Sequence, residues 1–496
     1  MCGVLGISTE GEAVGELYDG LATLQHRGQD AAGVMLFDGN QFHTKRGSGL
    51  VRDVIKSKDI PDLMGKVGIG HVRYPTAGTY SLEEAQPFFV NSPFGLGIVH
   101  NGNLTNTERL RKELSKEGRH LNTTSDSEIL LNIFSRELRR QLKPEISRGL
   151  TVKKVFAAAK RTMQRVQGSY AAVVLVGGHG LLALRDPGGI RPLALGKRKG
   201  RQHPAYAVAS EDTALSVLGY KFVSDVQPGE AVFFADSGKL SRQQLIPPRW
   251  SPCIFEYVYL ARPDSTLDDI SVYKARLRSG QYLAEEVKKA KLKIDVVVPV
   301  PDTSRSSALT VASELGVRYR EGLIKNRYIG RTFIMPTQAK RQKSVRYKLI
   351  PLTLELRGKK VLLVDDSIVR GNTSRQIVEM VRGAGAQKVY FASCSPPLRS
   401  PCVYGVDMPS KKEFVANKLS IEGIRKKLKA DALFYLPLPS LIKACQFGES
   451  KVSKFCTACF DGKYPTKEIT AKYLAELEKA RADSAKREEK EQLTLL

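Results

Sequence analysis

The hydrophobic rhythm of the chain changes once, near its middle. Through about residue 235, short apolar segments such as KVGIGHV, GLGIVH and YAAVVLV alternate with Gly- and Pro-bearing turns. This spacing predicts strands, with a helix-like stretch over Ser127–Leu138. The polar segment SGKLSRQQLIPPRWSP, residues 237–252, reads as a linker. Beyond it the apolar runs become continuous: DVVVPVP at 295–301, KVLLVDD at 360–366 and KVYFAS at 388–393, with helical periods between them. Such runs suit strands of a parallel sheet buried on both faces, joined by crossover helices. From about Glu468 the chain is dense in Lys, Glu, Ala and Arg and predicts a solvated helix or tail without chemistry. The pattern divides the chain into an α/β domain over 2–236, a second over 253–467 and a charged tail over 468–496.

Length supports that division, since 496 residues exceed one ordinary core. No apolar run approaches the ~18–20 residues that span a bilayer. The start, MCGVLGISTEGEAVGE, lacks the basic and apolar stretches of a signal peptide. The expectation is a soluble cytoplasmic protein without a membrane partner. Lys and Arg (78) exceed Asp and Glu (51) by 27, a field that attracts polyanions. There is no helix-turn-helix, zinc-finger or RNP pattern, and aromatics are only 7%. Nucleic acid is therefore not the expected partner, and the charge reads as a basic surface with pockets for phosphorylated substrates. Seven cysteines in a chain this long do not form a secreted disulfide framework.

Cys2 follows the initiator Met. Trimming that Met would leave a thiol and an α-amine on one residue, and the amine, with a pKa of about 7.7–8.0, is a built-in base. Further on stand LQHRGQDAAG (24–33), GIGHVRYPTAG (68–78), HNGNLTN (100–106) and NTTSDSEI (122–129), polar clusters beside strands or turns. Asn101 and Gly102 offer a side-chain and a backbone N–H for an oxyanion. Arg73 suits a carboxylate and Asp126 an ammonium. Taken singly, HNGN is also a turn, Arg73 a surface ion-pair partner and Asp126 a helix cap.

Together these segments resemble the glutamine amidotransferases whose N-terminal cysteine is the nucleophile, a match over most of the first ~230 residues. The resemblance implies an αββα sandwich of two sheets between helices. It also implies that Cys2 attacks glutamine while Arg73, Asn101, Gly102 and Asp126 bind and stabilise it.

KVLLVDDSIVRGNTS is the most specific segment. A buried strand ends in Asp365 and Asp366, followed by a turn with Ser367, Gly371, Thr373 and Ser374. A helix with Ile377, Met380, Val381 and Ala384 at apolar spacing comes next. Turn N–H groups, hydroxyls and a helix start can cradle phosphate, and the acids can hold sugar hydroxyls or Mg²⁺. There is no GK[ST] and no GxGxxG here. The loop resembles that of the parallel-sheet phosphoribosyltransferases, and PVPDTSR (299–305) resembles their pyrophosphate loop, with Thr303 near the metal. The basic stretch 325–348 supplies Lys325, Arg327, Arg331, Lys343 and Arg346, either as a lid over a diphosphate or as a solvated loop.

Both halves in this order resemble the glutamine phosphoribosylpyrophosphate amidotransferase family over roughly residues 2–465. The implied reaction moves glutamine-derived ammonia onto phosphoribosyl pyrophosphate, giving 5-phosphoribosylamine. The alternatives are another acceptor for the ammonia, or a nucleotide-sensing regulator without turnover. Cys456 and Cys459 form a CxxC, a pair that suits chelation but supplies only two ligands. By resemblance, Cys253 and Cys402 join them to hold a [4Fe–4S] cluster of structural role. Zinc on the same thiols and plain reduced thiols remain the alternatives, and Cys394 and Cys445 read as packing residues. The family also implies a homotetramer inhibited by purine nucleotides.

Overall fold

The computed structural model describes residues 2–74, 82–142, 149–326, 348–408, 410–446 and 451–479. In the first half, two antiparallel sheets stack between helices. The seven-stranded sheet has Gly3–Ser8 at its centre, flanked by Val67–Arg73 and Ala205–Ala209. The six-stranded sheet has Gly168–Val176 hydrogen-bonded between Leu96–Leu104 and Gly180–Arg185. Strand periodicity of two sends alternate residues into different cores. Val4 packs with Val99 and Val173 between the sheets. Leu5 and Ile7 pack outward on Leu17 and Leu21 of the helix Val14–Thr23. On the far side, Val174 and Leu182 meet Ile129, Ile133 and Leu138 of the helix Asp126–Leu142. This four-layer αββα order explains why antiparallel strands read as nearly unbroken apolar runs.

The expected linker is only partly one. Leu240–Gln244 pairs with Glu230–Ala235 as the edge strand of the six-stranded sheet, its polar residues facing outward. An exposed edge strand carries the same polar composition as a loop.

The second half is a five-stranded parallel sheet in the order Arg318–Tyr319, Val296–Pro299, Lys360–Asp365, Lys388–Ser393, Ala432–Tyr435. Val297, Leu362 and Ala392 pack on Leu283 and Val311 of the helices Val272–Lys289 and Arg305–Leu315. Val296, Leu363 and Phe391 pack on the other face against Ile377 and Val381 of the helix Asn372–Gly383 and Ile424 of the helix Ile421–Leu428. After Val296–Pro299 the chain runs to one edge, and the later strands are added on the opposite side. A topological switch point therefore lies between Val296–Pro299 and Lys360–Asp365, where ligands of open α/β sheets bind.

Residues 471–479 are helical. Tyr473, Leu474 and Leu477 pack against the core of the second domain, so this part of the tail is docked rather than wholly solvated.

Candidate active sites

Cys2 lies at the head of the central strand of the seven-stranded sheet, and little of it is exposed. Its backbone N–H donates to Asn101 Oδ1 at 3.2 Å. Its thiol approaches the Tyr74 carbonyl at 3.7 Å. Asn101 is fully buried, and its Nδ2 has no hydrogen-bond partner among the described residues. A buried amide N–H without a partner costs on the order of 1–3 kcal/mol; here it stands on the residue that accepts the Cys2 N–H. Gly102 has φ +151°, and a Cβ there would sit 2.2 Å from the Ser169 carbonyl oxygen, so no larger residue fits.

Arg73 ends the strand Val67–Arg73 and is buried, with Nη2 3.1 Å from Glu84 Oε2. It is an inward ion-pair partner rather than a surface one. Glu84 also accepts from the Thr124 hydroxyl, and burial raises its pKa. Asp126 opens the helix Asp126–Leu142 and accepts the Leu104 N–H at 2.8 Å. Its other oxygen stands 3.8 Å from His100 Nδ1. Cys2, Asn101 and Tyr74 are thus joined by direct contacts. Arg73 is the residue before Tyr74, and Asp126 joins through its bond to the strand that bears Asn101. Residues 75–78 of the motif GIGHVRYPTAG fall outside the described residues.

In the second domain the strand Lys360–Asp365 delivers its two acids to the switch point. The Asp366 N–H donates to Asp365 Oδ1 at 2.9 Å, and Ser367 Oγ donates to Asp366 Oδ1 at 2.6 Å. The Thr303 hydroxyl, from the neighbouring strand's loop, also hydrogen-bonds Asp366. Desolvation, then the adjacent Asp366 charge, raises the Asp365 pKa well above its ordinary value. Asp366 is pushed up to about 6, chiefly by desolvation, against the stabilising hydroxyl of Ser367 and the Arg276 charge. Two crowded acids with raised pKa values form a donor set that a cation would relieve.

Gly371, at φ +78°, turns the loop into the helix Asn372–Gly383, whose first turn carries an exposed Thr373 and a buried Ser374. Lys325 ion-pairs with Asp302 of PVPDTSR at 2.9 Å, which places one predicted phosphate ligand on the pyrophosphate loop. Arg327, Arg331, Lys343 and Arg346 lie outside the described residues.

A cavity of about 290 Å³ joins the two halves. His26, Arg27 and Tyr74 line it from the first domain, and Leu260, Asp366 and Ser367 from the second. It therefore reaches from the residue touching the Cys2 thiol to the acidic loop.

The wall of this cavity holds charges that sequence reasoning missed. Arg27 is fully buried between Glu211 and Glu256, its Nη2 2.9 Å from Glu256 Oε2. Arg191, also fully buried, meets the other Glu256 oxygen at 3.1 Å. Arg27 and Glu256 stand in LQHRGQDAAG and FEYVYLARPDS, but nothing in their spacing announces that they meet.

The four predicted cysteine ligands converge. Cys253 and Cys456 pair as an isolated parallel bridge. Arg191 Nη2 lies 4.0 Å from Cys402 Sγ, and Cys459 interacts electrostatically with Cys253, Cys456 and Cys402. All four are buried. Desolvation pushes Cys253 up to about 11 and raises Cys456 and Cys459 well above the ordinary thiol value, so a metal would have to displace their protons. Among the described residues no three His, Cys, Asp or Glu side chains are arranged to hold a metal ion. Cys394 and Cys445 are buried, as expected for packing residues.

Comparison with known proteins agrees with this architecture. Residues 76–217 match a glutamine amidotransferase domain and residues 271–395 a phosphoribosyl transferase domain. The chain is 51% identical to the amidophosphoribosyltransferase of Pseudomonas aeruginosa, across 98% of this chain and 97% of that one. It is 50% identical to that of Escherichia coli over the same shares. Among solved structures, glutamine phosphoribosylpyrophosphate amidotransferase from B. subtilis, complexed with ADP and GMP, superposes with a TM-score of 0.83 at 39% identity. That match covers 95% of this chain and 98% of that one.

Proposed function

The chain belongs to the amidophosphoribosyltransferase family, and we propose that it runs this family's reaction at two sites joined by the interdomain cavity. Glutamine, water and phosphoribosyl pyrophosphate become glutamate, pyrophosphate and 5-phosphoribosylamine, the first committed step of purine synthesis.

In this reading the initiator Met is removed and the Cys2 amine takes the thiol proton. The sulfur attacks the glutamine side-chain carbonyl. The oxyanion meets Asn101 Nδ2 and the Gly102 N–H, the amide nitrogen leaves as ammonia, and water then frees glutamate from the thioester. Arg73, held by Glu84, reads the substrate carboxylate, and Asp126 reads its ammonium. Ammonia released into water near neutral pH becomes ammonium and loses its nucleophilic lone pair. The cavity from Tyr74 to Asp366 is the proposed path that carries it across before it is protonated.

At the second site ammonia displaces pyrophosphate from the anomeric carbon. Asp365, Asp366 and Thr303 would hold Mg²⁺, which neutralises the departing diphosphate when bound. Ser367, Gly371, Thr373 and Ser374 cradle the 5-phosphate at the helix start. Lys325 and Arg331 are the proposed ligands of the diphosphate. Cys253, Cys402, Cys456 and Cys459 would carry a [4Fe–4S] cluster that cross-links three distant segments, a structural role because the reaction moves no electrons. Feedback by purine nucleotides, a homotetrameric assembly and a cytoplasmic location complete the proposal. No helix among the described residues is long and apolar enough to cross a membrane.

One observation carries the reading. The Cys2 thiol contacts Tyr74, which lines the cavity that Asp366 also lines, beside a buried Asn101 Nδ2 that has no partner among the described residues. The test is Cys2→Ala: glutamine-dependent synthesis is abolished while synthesis from added ammonium continues. Loss of both activities, or survival of glutamine use, overturns it.

A further inference from the structure

The oxyanion glycine is clamped from behind by the other domain. Gly405 has φ +91°, and a Cβ built on it would lie 2.6 Å from the Gly102 carbonyl oxygen and 3.0 Å from Gly102 Cα. A Cβ on Gly102 itself would meet the Ser169 carbonyl oxygen at 2.2 Å. Gly102 is thus closely approached both by its neighbouring strand and by a glycine of the second domain.

The segment that bears Gly405 is fixed at each preceding carbonyl. Asn103 Nδ2 donates to the Val403 carbonyl at 3.0 Å. Ser169 Oγ donates to the Tyr404 carbonyl at 2.9 Å. The buried Arg191 donates to that same carbonyl from Nε at 2.8 Å and from Nη2 at 2.6 Å. Asn103 follows Gly102 in its strand, and Ser169 lies across from Asn103 on the neighbouring strand. Asn103 therefore ties Val403 to the strand that presents Asn101 and Gly102, while Ser169 of the neighbouring strand and Arg191 hold the Tyr404 carbonyl just before Gly405. None of these contacts involves Asp365, Asp366 or the phosphate-binding loop.

We propose that Gly405 is a positioning residue for the glutaminase half-reaction, a strut by which the second domain sets the direction of the Gly102 N–H. The inference rests on the reading of Cys2 as nucleophile and Gly102 as oxyanion donor. An oxyanion donor must lie about 2.7–3.1 Å from where charge develops, and losing one lowers kcat about 10²–10³-fold. The donor matters little to the bound ground state, so displacing it lowers kcat and leaves KM. The second site does not feel the displacement.

Gly405→Ala tests this directly. The methyl group pushes on the Gly102 backbone. Glutamine-dependent kcat is expected to fall about tenfold or more, with KM for glutamine changed less than about twofold. Alkylation of Cys2 by a glutamine-shaped diazoketone slows in parallel. Ammonium-dependent synthesis and the thermal midpoint stay near those of the parent protein. Asn103→Ala, which removes the tie to Val403 without adding volume, gives the same signature more weakly, and it decides the matter if Gly405→Ala does not fold. Equal loss of glutamine- and ammonium-dependent activity, a rise in KM with kcat kept, or no change in either variant overturns the strut. Cys2→Ala measured alongside separates the two ideas. If it still uses glutamine, the nucleophile reading has failed; if it is dead while both strut variants are normal, only the strut has.

Discussion

Arg27 of the first domain and Glu256 of the second form an ion pair buried at the domain junction, Nη2 to Oε2 at 2.9 Å, and the same carboxylate takes Arg191 at 3.1 Å. One carboxylate thus holds two guanidiniums that are out of reach of water. Removing its charge leaves Arg27 to Glu211 and takes away the carboxylate that Arg191 meets, a loss of about 3–5 kcal/mol for a buried pair broken on one side. Glu256→Gln, which keeps the shape, should lower the thermal midpoint by several degrees. Arg27 also lines the cavity, so glutamine-dependent synthesis should fall further than ammonium-dependent synthesis. An unchanged midpoint refutes the charge-bridge role.

Leu260, little exposed itself, lines the same cavity as Tyr74. An indole there occupies much of the passage without touching Cys2 or the acids. With Leu260→Trp, glutamine cleavage should continue while pyrophosphate release lags behind it, because ammonia escapes to water and is protonated. The measurement is the ratio of glutamate to pyrophosphate, expected to rise well above one. A ratio that stays at one means ammonia takes another route.

Asp366 binds no part of the glutaminase, so its loss should separate the reactions in the opposite sense from Cys2→Ala. Asp366→Asn removes one of two adjacent carboxylates and keeps the Ser367 and Thr303 contacts plausible for an amide. Ammonium-dependent synthesis should drop about 10²-fold or more, the order seen when a charge-stabilising group is removed. Basal glutamine cleavage should persist. Chelating divalent metal should reproduce the same split in the parent protein, and a variant with normal ammonium-dependent turnover would falsify the metal-ligand role.

What the chain discloses before folding follows the range of each interaction. Strand runs, the acidic loop and the turn at Gly371 are local, so KVLLVDDSIVRGNTS reads directly as strand, turn and helix. The candidate residues at both sites stand out for the same reason, since each lies in a short polar segment beside a strand. The junction was not. Arg27, Glu211 and Glu256 look like ordinary surface charges until the fold brings positions more than 180 residues apart into contact. The Leu240–Gln244 strand was hidden too, because an edge strand with outward polar side chains has the composition of a loop. Gly405 gave no signal at all: its importance lies in the backbone of another domain.

Cys253, Cys402, Cys456 and Cys459 converge in a buried site beside Arg191. Protein purified without oxygen should carry about four irons per chain and a broad visible absorption, both lost together in Cys456→Ser. Because the ligands come from three separated segments, losing the cluster should also lower the thermal midpoint. Stoichiometric zinc without iron would replace the cluster by a mononuclear site, and metal-free protein with full stability would leave four structural thiols.

His71 supplies a pH dependence that owes nothing to catalysis. It is fully buried, and its Nε2 lies 3.3 Å from the His100 carbonyl oxygen, so this nitrogen carries the proton and donates. Its Nδ1 has no partner among the described residues. Desolvation, then the nearby Arg73 charge, lowers its pKa to about 3. The unfolded chain accepts a proton near pH 6.5 that the folded protein refuses until about pH 3. Stability from this group is therefore complete above pH 6.5 and is lost progressively as pH falls through that window. Linkage puts the loss between pH 7 and pH 5 at about 2 kcal/mol. His71→Gln cannot titrate, so its thermal midpoint should fall less than the parent's over those two pH units. Parallel curves for the two proteins would mean that His71 is protonated in the folded state, next to Arg73, with its charge met by a group not seen here.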